Sequence, residues 1–137
     1  MSFALDASIA AGWFLPSQES AATAAIGRRL GDAPARAPDL FWHEVRNLLV
    51  IACRRGRLPE DLLLLHLSKL EKLAIRNAGP GDSIQIAQLA LRHGLTAYDA
   101  AYLALAKSEH LPLATLDKAL RRAAAAEGIT LLPAEGV

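Results

Sequence analysis

Four acidic residues stand where a carboxylate could do chemistry rather than only face solvent. Asp6 follows a short apolar segment, and Asp117 follows another; Glu44 and Asp99 lie near the starts of apolar helical segments. Carboxylate oxygens are the ligands that Mg²⁺ prefers. Ions held by such acids activate water and neutralise a phosphodiester. The four acids therefore predict a site for one or two Mg²⁺ ions, with Mn²⁺ as an alternative.

Other common catalytic groups are missing from the sequence. The four histidines fall in different segments, without the His-Glu-x-x-His spacing of zinc hydrolases. There is no Gly-x-x-x-x-Gly-Lys loop and no Gly-x-Ser-x-Gly elbow, which disfavours nucleoside triphosphatases and serine hydrolases. The single cysteine, Cys53, cannot form an intramolecular disulfide. The chemistry is predicted to depend on acids.

Each of the four acids also has a purely structural interpretation. Asp6 could cap the turn that follows it, and Asp117 could cap a helix. Glu44 could form a salt bridge with an arginine. Asp99 stands three residues after Thr96, the spacing of a capping box.

Two further acids, Asp39 and Asp82, also precede predicted helices. For both of them we prefer the interpretation as helix caps.

The composition bounds the kind of protein that carries these acids. The chain has 137 residues, of which 53% are hydrophobic and 21% charged, so we predict a single folded domain over residues 1–137. No apolar stretch is long enough to span a membrane. The N-terminus lacks the basic segment of a secretory signal. These features predict a cytoplasmic protein with no membrane association.

Short apolar segments alternate with amphipathic ones along the chain, which predicts an α/β fold with a parallel sheet between helices. Ser8 is expected to cap the segment after the first strand. Strands are predicted at 3–5, 72–76, 111–115 and 129–132, with 34–38 as a connector or short edge strand. Helices are predicted from the turn at 16–19 to 30, and at 39–55, 59–70, 82–93, 96–109 and 118–126.

The order of these elements would bring the acids together. Ligands of open α/β sheets bind outside the carboxyl ends of the strands, where the strand order reverses. Asp6 and Asp117 follow two strands directly, and Glu44 and Asp99 lie near helix starts at the same rim. We therefore expect the four carboxylates to converge.

Four sequence blocks carry a family resemblance that covers nearly the whole chain. In order they read FALDAS at 3–8, HEVRNLL at 43–49, LTAYDAAYLALA at 95–106 and LATLDKAL at 113–120. They resemble the signature blocks of VapC-type PIN-domain toxins. The resemblance implies a three-layer α/β/α PIN-like domain with Asp6, Glu44, Asp99 and Asp117 as catalytic, metal-binding residues. It further implies that Thr115 or Ser8 orients water or a ligand.

The same resemblance implies an activity and partners. The expected activity is that of a toxic endoribonuclease of a type II toxin-antitoxin pair, which hydrolyses RNA in a Mg²⁺-dependent reaction and leaves a 3′-hydroxyl and a 5′-phosphate. The expected partners are a VapB-type antitoxin and a second copy of the chain. Two alternatives stay open: a catalytically silent PIN-like RNA-binding module, and another metal-dependent phosphohydrolase.

Two surface features bear on these partners. The predicted helix at 59–70 carries more leucine than one buried face requires, so part of it is expected to contact a second copy or an antitoxin helix. The 15 basic residues, against 14 acidic ones, include 11 arginines. If several acids bind metal, the remaining surface is more basic than the formal net charge of +1 indicates.

Overall fold

A computed structural model describes residues 1–134 of the chain. Its centre is a five-stranded sheet in the order β3-β2-β1-β4-β5, and every neighbouring pair is parallel. The strands are β1 Ala4–Leu5, β2 Ala35–Ala37, β3 Ile75–Asn77, β4 Leu113–Ala114 and β5 Leu131–Leu132. In register, Ala4 of β1 stands opposite Arg36 of β2 and Leu113 of β4.

Seven α-helices in the described part of the chain flank this sheet. They are α1 Ala7–Phe14, α2 Ala21–Arg29, α3 Leu40–Arg54, α4 Glu60–Lys72, α5 Ser83–His93, α6 Ala97–Ser108 and α7 Lys118–Ala126, with a 3₁₀ turn at Pro16–Gln18. The chain moves outward from β1 to β3 and then returns across β1 to β4 and β5. Because parallel crossovers are right-handed, α1 to α4 cover one face and α5 to α7 the other. The predicted α/β/α architecture is confirmed.

The reversal of direction at β1 defines where a site can form. β1 lies between β2 and β4, so the carboxyl ends of β1 and β4 border the point at which the strand order switches. The backbone N–H of Asp6 donates to the carbonyl of Ala114 (3.0 Å), which ties the end of β1 to β4. Residues that follow these two strands are therefore held side by side.

Helix α1 was not predicted, and it is the largest difference from the sequence analysis. It follows β1 at once and packs closely on α2: a Cβ placed on Gly12 would lie 2.5 Å from Cγ2 of the buried Thr23. Ser8 lies in its first turn and does not cap it, so that expectation is wrong. Asp6 occupies the N-cap position, but its side chain makes no capping hydrogen bond.

The strands on one side of β1 also differ from expectation. The segment predicted as a connector or edge strand forms β2, which lies inside the sheet between β1 and β3. The strand predicted at 72–76 begins only at Ile75, because α4 continues to Lys72. The edge of the sheet on this side is β3.

The predicted helix caps were partly right. The Asp82 carboxylate accepts hydrogen bonds from the backbone N–H groups of Ile84 and Gln85, as a cap of α5 should. The Asp39 side chain makes no capping hydrogen bond, so this preferred interpretation is wrong. Instead the backbone N–H of Asp39 donates to the carbonyl of Gly79 (3.0 Å), which fixes the start of α3 against the loop after β3.

Helices α3 and α4 pack against each other as a hairpin, and the leucines of α4 divide between core and surface. Leu63 and Leu70 of α4 are buried, whereas Leu64 and Leu65 are 60% and 50% exposed. Part of the leucine surface is thus left uncovered by residues 1–134. Within residues 1–134, no helix is long and apolar enough to cross a membrane.

Glu127, just after α7, joins three helices on the face opposite α1 to α4. Its carboxylate accepts from Arg92 and His93, at the end of α5, and from Lys107 of α6, at 2.6–2.9 Å. The hydrogen bond from Lys107, followed by those from His93 and Arg92, holds the pKa of Glu127 at about 2. Glu127 therefore stays ionised far below the pH at which a free glutamate takes up a proton.

We expect Glu127→Gln to lower the free energy of unfolding at pH 7 by about 1–2 kcal/mol. The expected loss in free energy of unfolding is small because Arg92 and Lys107 are 54% and 43% exposed, so that solvent screens their attraction to Glu127. A glutamate with a lowered pKa stabilises the fold above the unfolded-state value near 4.5, and loses this effect as the pH falls towards 2. The difference between the variant and the wild type in urea unfolding should therefore disappear between about pH 5 and pH 2. Glu71→Gln, at an exposed position on α4, is the control; an equal loss there would contradict the assignment.

Candidate active site

The four acids predicted to form a site line one cavity of about 290 Å³ at the carboxyl ends of β1 and β4. They come from four different elements: Asp6 follows β1, Glu44 lies on α3, Asp99 on α6, and Asp117 starts α7. The cavity is also lined by Ala7, Ser8, Ala11, Gln18, Asn47 and Leu48. The expected convergence of the acids is what the structure contains.

Asp6 is the most deeply placed acid, only 5% exposed. Two hydroxyls donate to the same carboxylate oxygen, Oδ2: Ser8 Oγ at 2.7 Å and Thr115 Oγ1 at 2.7 Å. The Ser8 hydroxyl also accepts from the backbone N–H of Leu116 (3.0 Å). Ser8 and Thr115 thus orient the carboxylate of Asp6. The resemblance implied instead that one of them orients water or a ligand.

Thr115 connects Asp6 to Asp117. It is fully buried, and its Oγ1 accepts from the backbone N–H of Asp117 (3.0 Å) while it donates to Asp6. The guanidinium of the buried Arg121 donates to the Thr115 carbonyl (2.9 Å). One threonine therefore sets the relative position of two of the acids.

Asp117 is both a helix cap and one of the acids that line the cavity. Its Oδ1 accepts from the backbone N–H of Leu120 (2.8 Å) and caps α7. The same residue lines the cavity, where burial raises the pKa of Asp6 and of Asp99 and the Asp117 charge adds to both shifts. The capping hydrogen bond uses one carboxylate oxygen, and the other oxygen is not needed for the cap.

Glu44 is held by a tyrosine rather than by an arginine. The Tyr102 hydroxyl donates to Glu44 Oε1 at 2.6 Å, and Tyr102 is fully buried in α6. Burial and this hydrogen bond raise the pKa of the Tyr102 hydroxyl, so it remains a donor. In the described chain, Glu44 forms no salt bridge with an arginine, and the structural alternative for this residue is not found.

Asp99 shows half of a capping box. The Thr96 hydroxyl accepts from the backbone N–H of Asp99 (3.1 Å) and so caps α6. Among the described residues, the reciprocal hydrogen bond from the Thr96 backbone to the Asp99 carboxylate is not formed. The half-buried carboxylate is thus not used by the cap and contributes to the cavity lining.

The electrostatics of the cavity favour a bound cation. Burial raises the pKa of Asp6, and the Asp117 charge adds to this, while the hydrogen bonds from Ser8 and Thr115 oppose it. Burial likewise raises the pKa of Glu44 and of Asp99, and neighbouring carboxylates add to both shifts. Within residues 1–134, none of the four acids forms a salt bridge with a basic side chain. The cluster has unbalanced negative charge in a partly desolvated site.

The residues present fit a hard divalent cation. All four acids offer carboxylate oxygens, and a cation would relieve their mutual repulsion. In the part of the chain that the structure describes, no three acidic, histidine or cysteine side chains come close enough together to be a preformed metal-holding group. Mg²⁺ does not require one, since it keeps several waters and is usually bound through one or two carboxylates.

Sequence reasoning missed three polar residues at this site. Tyr102 lies in a helix of alanine and leucine, where its spacing indicates only core packing. Asn47 stands one turn after Glu44, so an i, i+3 pair was the available signal. Gln18, in the 3₁₀ turn, gave no signal at all, because only the fold brings that turn to the cavity.

Comparison with known proteins identifies the class to which this fold and site belong. The PIN-domain profile matches residues 3–126, and the chain belongs to the PIN-domain family.

Two relatives narrow the comparison. The chain is similar to Ribonuclease VapC3 of Pyrobaculum aerophilum, at 36% identity over 124 residues that cover 88% of this chain and 92% of the relative. This match and the family match confirm the resemblance to VapC-type PIN domains. The crystal structure of PAE2754 from the same organism has the same fold, with a TM-score of 0.71 at 24% identity over 90% of this chain and 79% of that one.

Proposed function

We propose that the chain is a Mg²⁺-dependent endoribonuclease and the toxin of a VapBC-type toxin-antitoxin pair. One observation carries the proposal: four carboxylates from separate elements line a single cavity without a basic partner among the described residues. Family membership and the ribonuclease name of the VapC3 relative support RNA as the substrate class.

The proposed metal site consists of Asp6, Glu44, Asp99 and Asp117. When bound there, Mg²⁺ or Mn²⁺ would supply the positive charge that lowers the pKa of water and neutralises the scissile phosphate. The chain's own part is to hold the four carboxylates in place. Because a metal held by these carboxylates would lower the pKa of water, the proposed reaction requires no histidine base.

Neighbouring side chains keep these acids in position. Ser8 and Thr115 donate to Asp6, and Tyr102 donates to Glu44. Such hydrogen bonds fix the orientation of ligand side chains, and their removal typically costs 10- to 100-fold in metal affinity or activity. We therefore assign Ser8, Thr115 and Tyr102 as positioning residues.

The proposed partners are a small antitoxin of the VapB type and a second copy of the chain. The name of the VapC3 relative supports the antitoxin. The exposed Leu64 and Leu65 on α4 offer apolar surface that either partner could cover.

The test is a side-by-side digestion with purified, partner-free protein. Single-stranded RNA, single-stranded DNA and a simple aryl phosphate are each incubated with Mg²⁺, with Mn²⁺, and with excess chelator. We expect cleavage of RNA alone, with either metal, and none in chelator.

Each other result points elsewhere. RNA cleavage undiminished in chelator contradicts the metal mechanism. Preference for DNA or for the aryl phosphate indicates another phosphohydrolase. RNA binding without cleavage under all conditions indicates a silent RNA-binding module.

A further inference from the structure

A second cavity, of about 390 Å³, adjoins the acid cavity. It lies between the 3₁₀ turn and α3, and the two cavities share Gln18 and Leu48. We call it the α3 groove. It is lined by Leu15, Pro16, Ser17, Gln18, Leu48, Ile51, Ala52, Arg55 and Arg57. The two cavities are therefore neighbours, with Gln18 and Leu48 at the boundary between them.

The groove changes character along its length. Its floor is mostly aliphatic, with Leu48 on one turn of α3 and Ile51 and Ala52 on the next. At its far end stand Arg55 and Arg57, both exposed. Arg55, the C-cap of α3, is eleven residues after Glu44, so its backbone lies about 16 Å from that of Glu44 along the helix axis.

The charges along the groove indicate which class of ligand it suits. None of the described residues that line it is acidic. Within residues 1–134, neither Arg55 nor Arg57 pairs with a carboxylate, so both guanidinium groups are available. Guanidinium groups bind phosphate through paired N–H donors. An apolar floor with phosphate-binding groups at its end suits a nucleic-acid strand, whose bases and sugars contact the floor while its backbone reaches the arginines.

We propose that the α3 groove binds the RNA strand that flanks the scissile phosphate, with Arg55 and Arg57 holding a backbone phosphate a few nucleotides away. This inference rests on the proposed function, since it extends the strand that the acids would cleave. A strand whose phosphodiester lies over the carboxylates has to leave the acid cavity, and the groove is next to that cavity. A protein segment with an acidic side chain is the competing occupant, and the test separates the two.

The experiment measures binding without cleavage. In the Asp6→Asn background with Mg²⁺, fluorescence anisotropy gives the affinity for a longer single-stranded RNA and for an oligonucleotide too short to reach from the acids to the arginines. We expect Arg55→Gln with Arg57→Gln to weaken binding of the longer RNA about tenfold. The slope of log affinity against log salt concentration should become shallower by the amount that roughly one to two phosphate contacts contribute. The short oligonucleotide should bind unchanged.

Arg54→Gln is the matched control, because Arg54 is exposed on the same turn but does not line the groove. Equal affinities of the control and the double variant for the longer RNA would overturn the inference. So would a double variant that binds RNA normally but no longer captures the antitoxin, since the groove would then be a protein site. A wild-type protein that binds RNA through the arginines yet cleaves none would leave this inference standing and overturn the proposed nuclease function.

Discussion

Asp6→Asn should abolish both RNA cleavage and toxicity while leaving the fold intact. The asparagine oxygen can still accept hydrogen bonds from Ser8 and Thr115, so the local geometry should persist. The variant loses the negative charge of the deepest acid. We expect the cleavage rate to fall by more than about 100-fold, beyond what removal of an orienting neighbour costs.

The measurement pairs a purified assay with growth curves. Induction of the wild-type chain alone should arrest growth, and Asp6→Asn should relieve the arrest at equal protein abundance. Asp32→Asn, at an exposed loop position, should remain toxic. An Asp6→Asn protein that arrests growth as strongly as the wild type would rule out toxicity through this site.

The second large effect concerns metal and stability. If the acids bind a cation, saturation at a hundred times the dissociation constant adds about 2.7 kcal/mol to the free energy of unfolding. For a domain of this size, that raises the melting temperature by roughly 10 °C. Asp99→Asn should lose most of this increment. Without metal it should be as stable as the wild type or more so, because it removes one of several mutually repelling charges.

Thr96→Ala separates this role from capping. It removes the hydroxyl that accepts from the Asp99 backbone but keeps the carboxylate. Its loss should cost about 0.5–2 kcal/mol with or without metal and leave the metal increment unchanged. If Asp99→Asn instead behaved like Thr96→Ala, melting lower without metal yet responding fully to it, Asp99 would be only part of a helix end.

The sequence predicted the convergence of the acids for a reason that lies in the topology. Asp6 directly follows β1 and Asp117 comes three residues after β4, and the carboxyl ends of parallel strands meet at one edge wherever the strands pair. Helix caps such as Asp82 and Thr96 could also be predicted from the sequence, because a cap depends on residues only two or three positions away. Local chemistry and strand polarity were thus sufficient for these features.

The errors arose where distant residues decide the outcome. Helix α1 is apolar on nearly every side, so it has no amphipathic periodicity, and its close packing on Thr23 depends on a residue of another helix. The interior place of β2 depends on pairing with strands far along the chain. Tyr102 looked like a core residue, and it is one; only the placement of α3 brings Glu44 to its hydroxyl. A single sequence contains no local signal for such contacts.

The paired hydroxyls on Asp6 have a thermodynamic consequence for ligand affinity. With Ser8 and Thr115 both donating to Oδ2, the carboxylate is confined to one rotamer, and Oδ1 is the oxygen left without these donors. The rotational entropy of this side chain is therefore lost when the protein folds, not when a ligand binds. A cation or substrate arriving at the cavity meets a preorganised ligand, and more of its interaction energy appears as affinity.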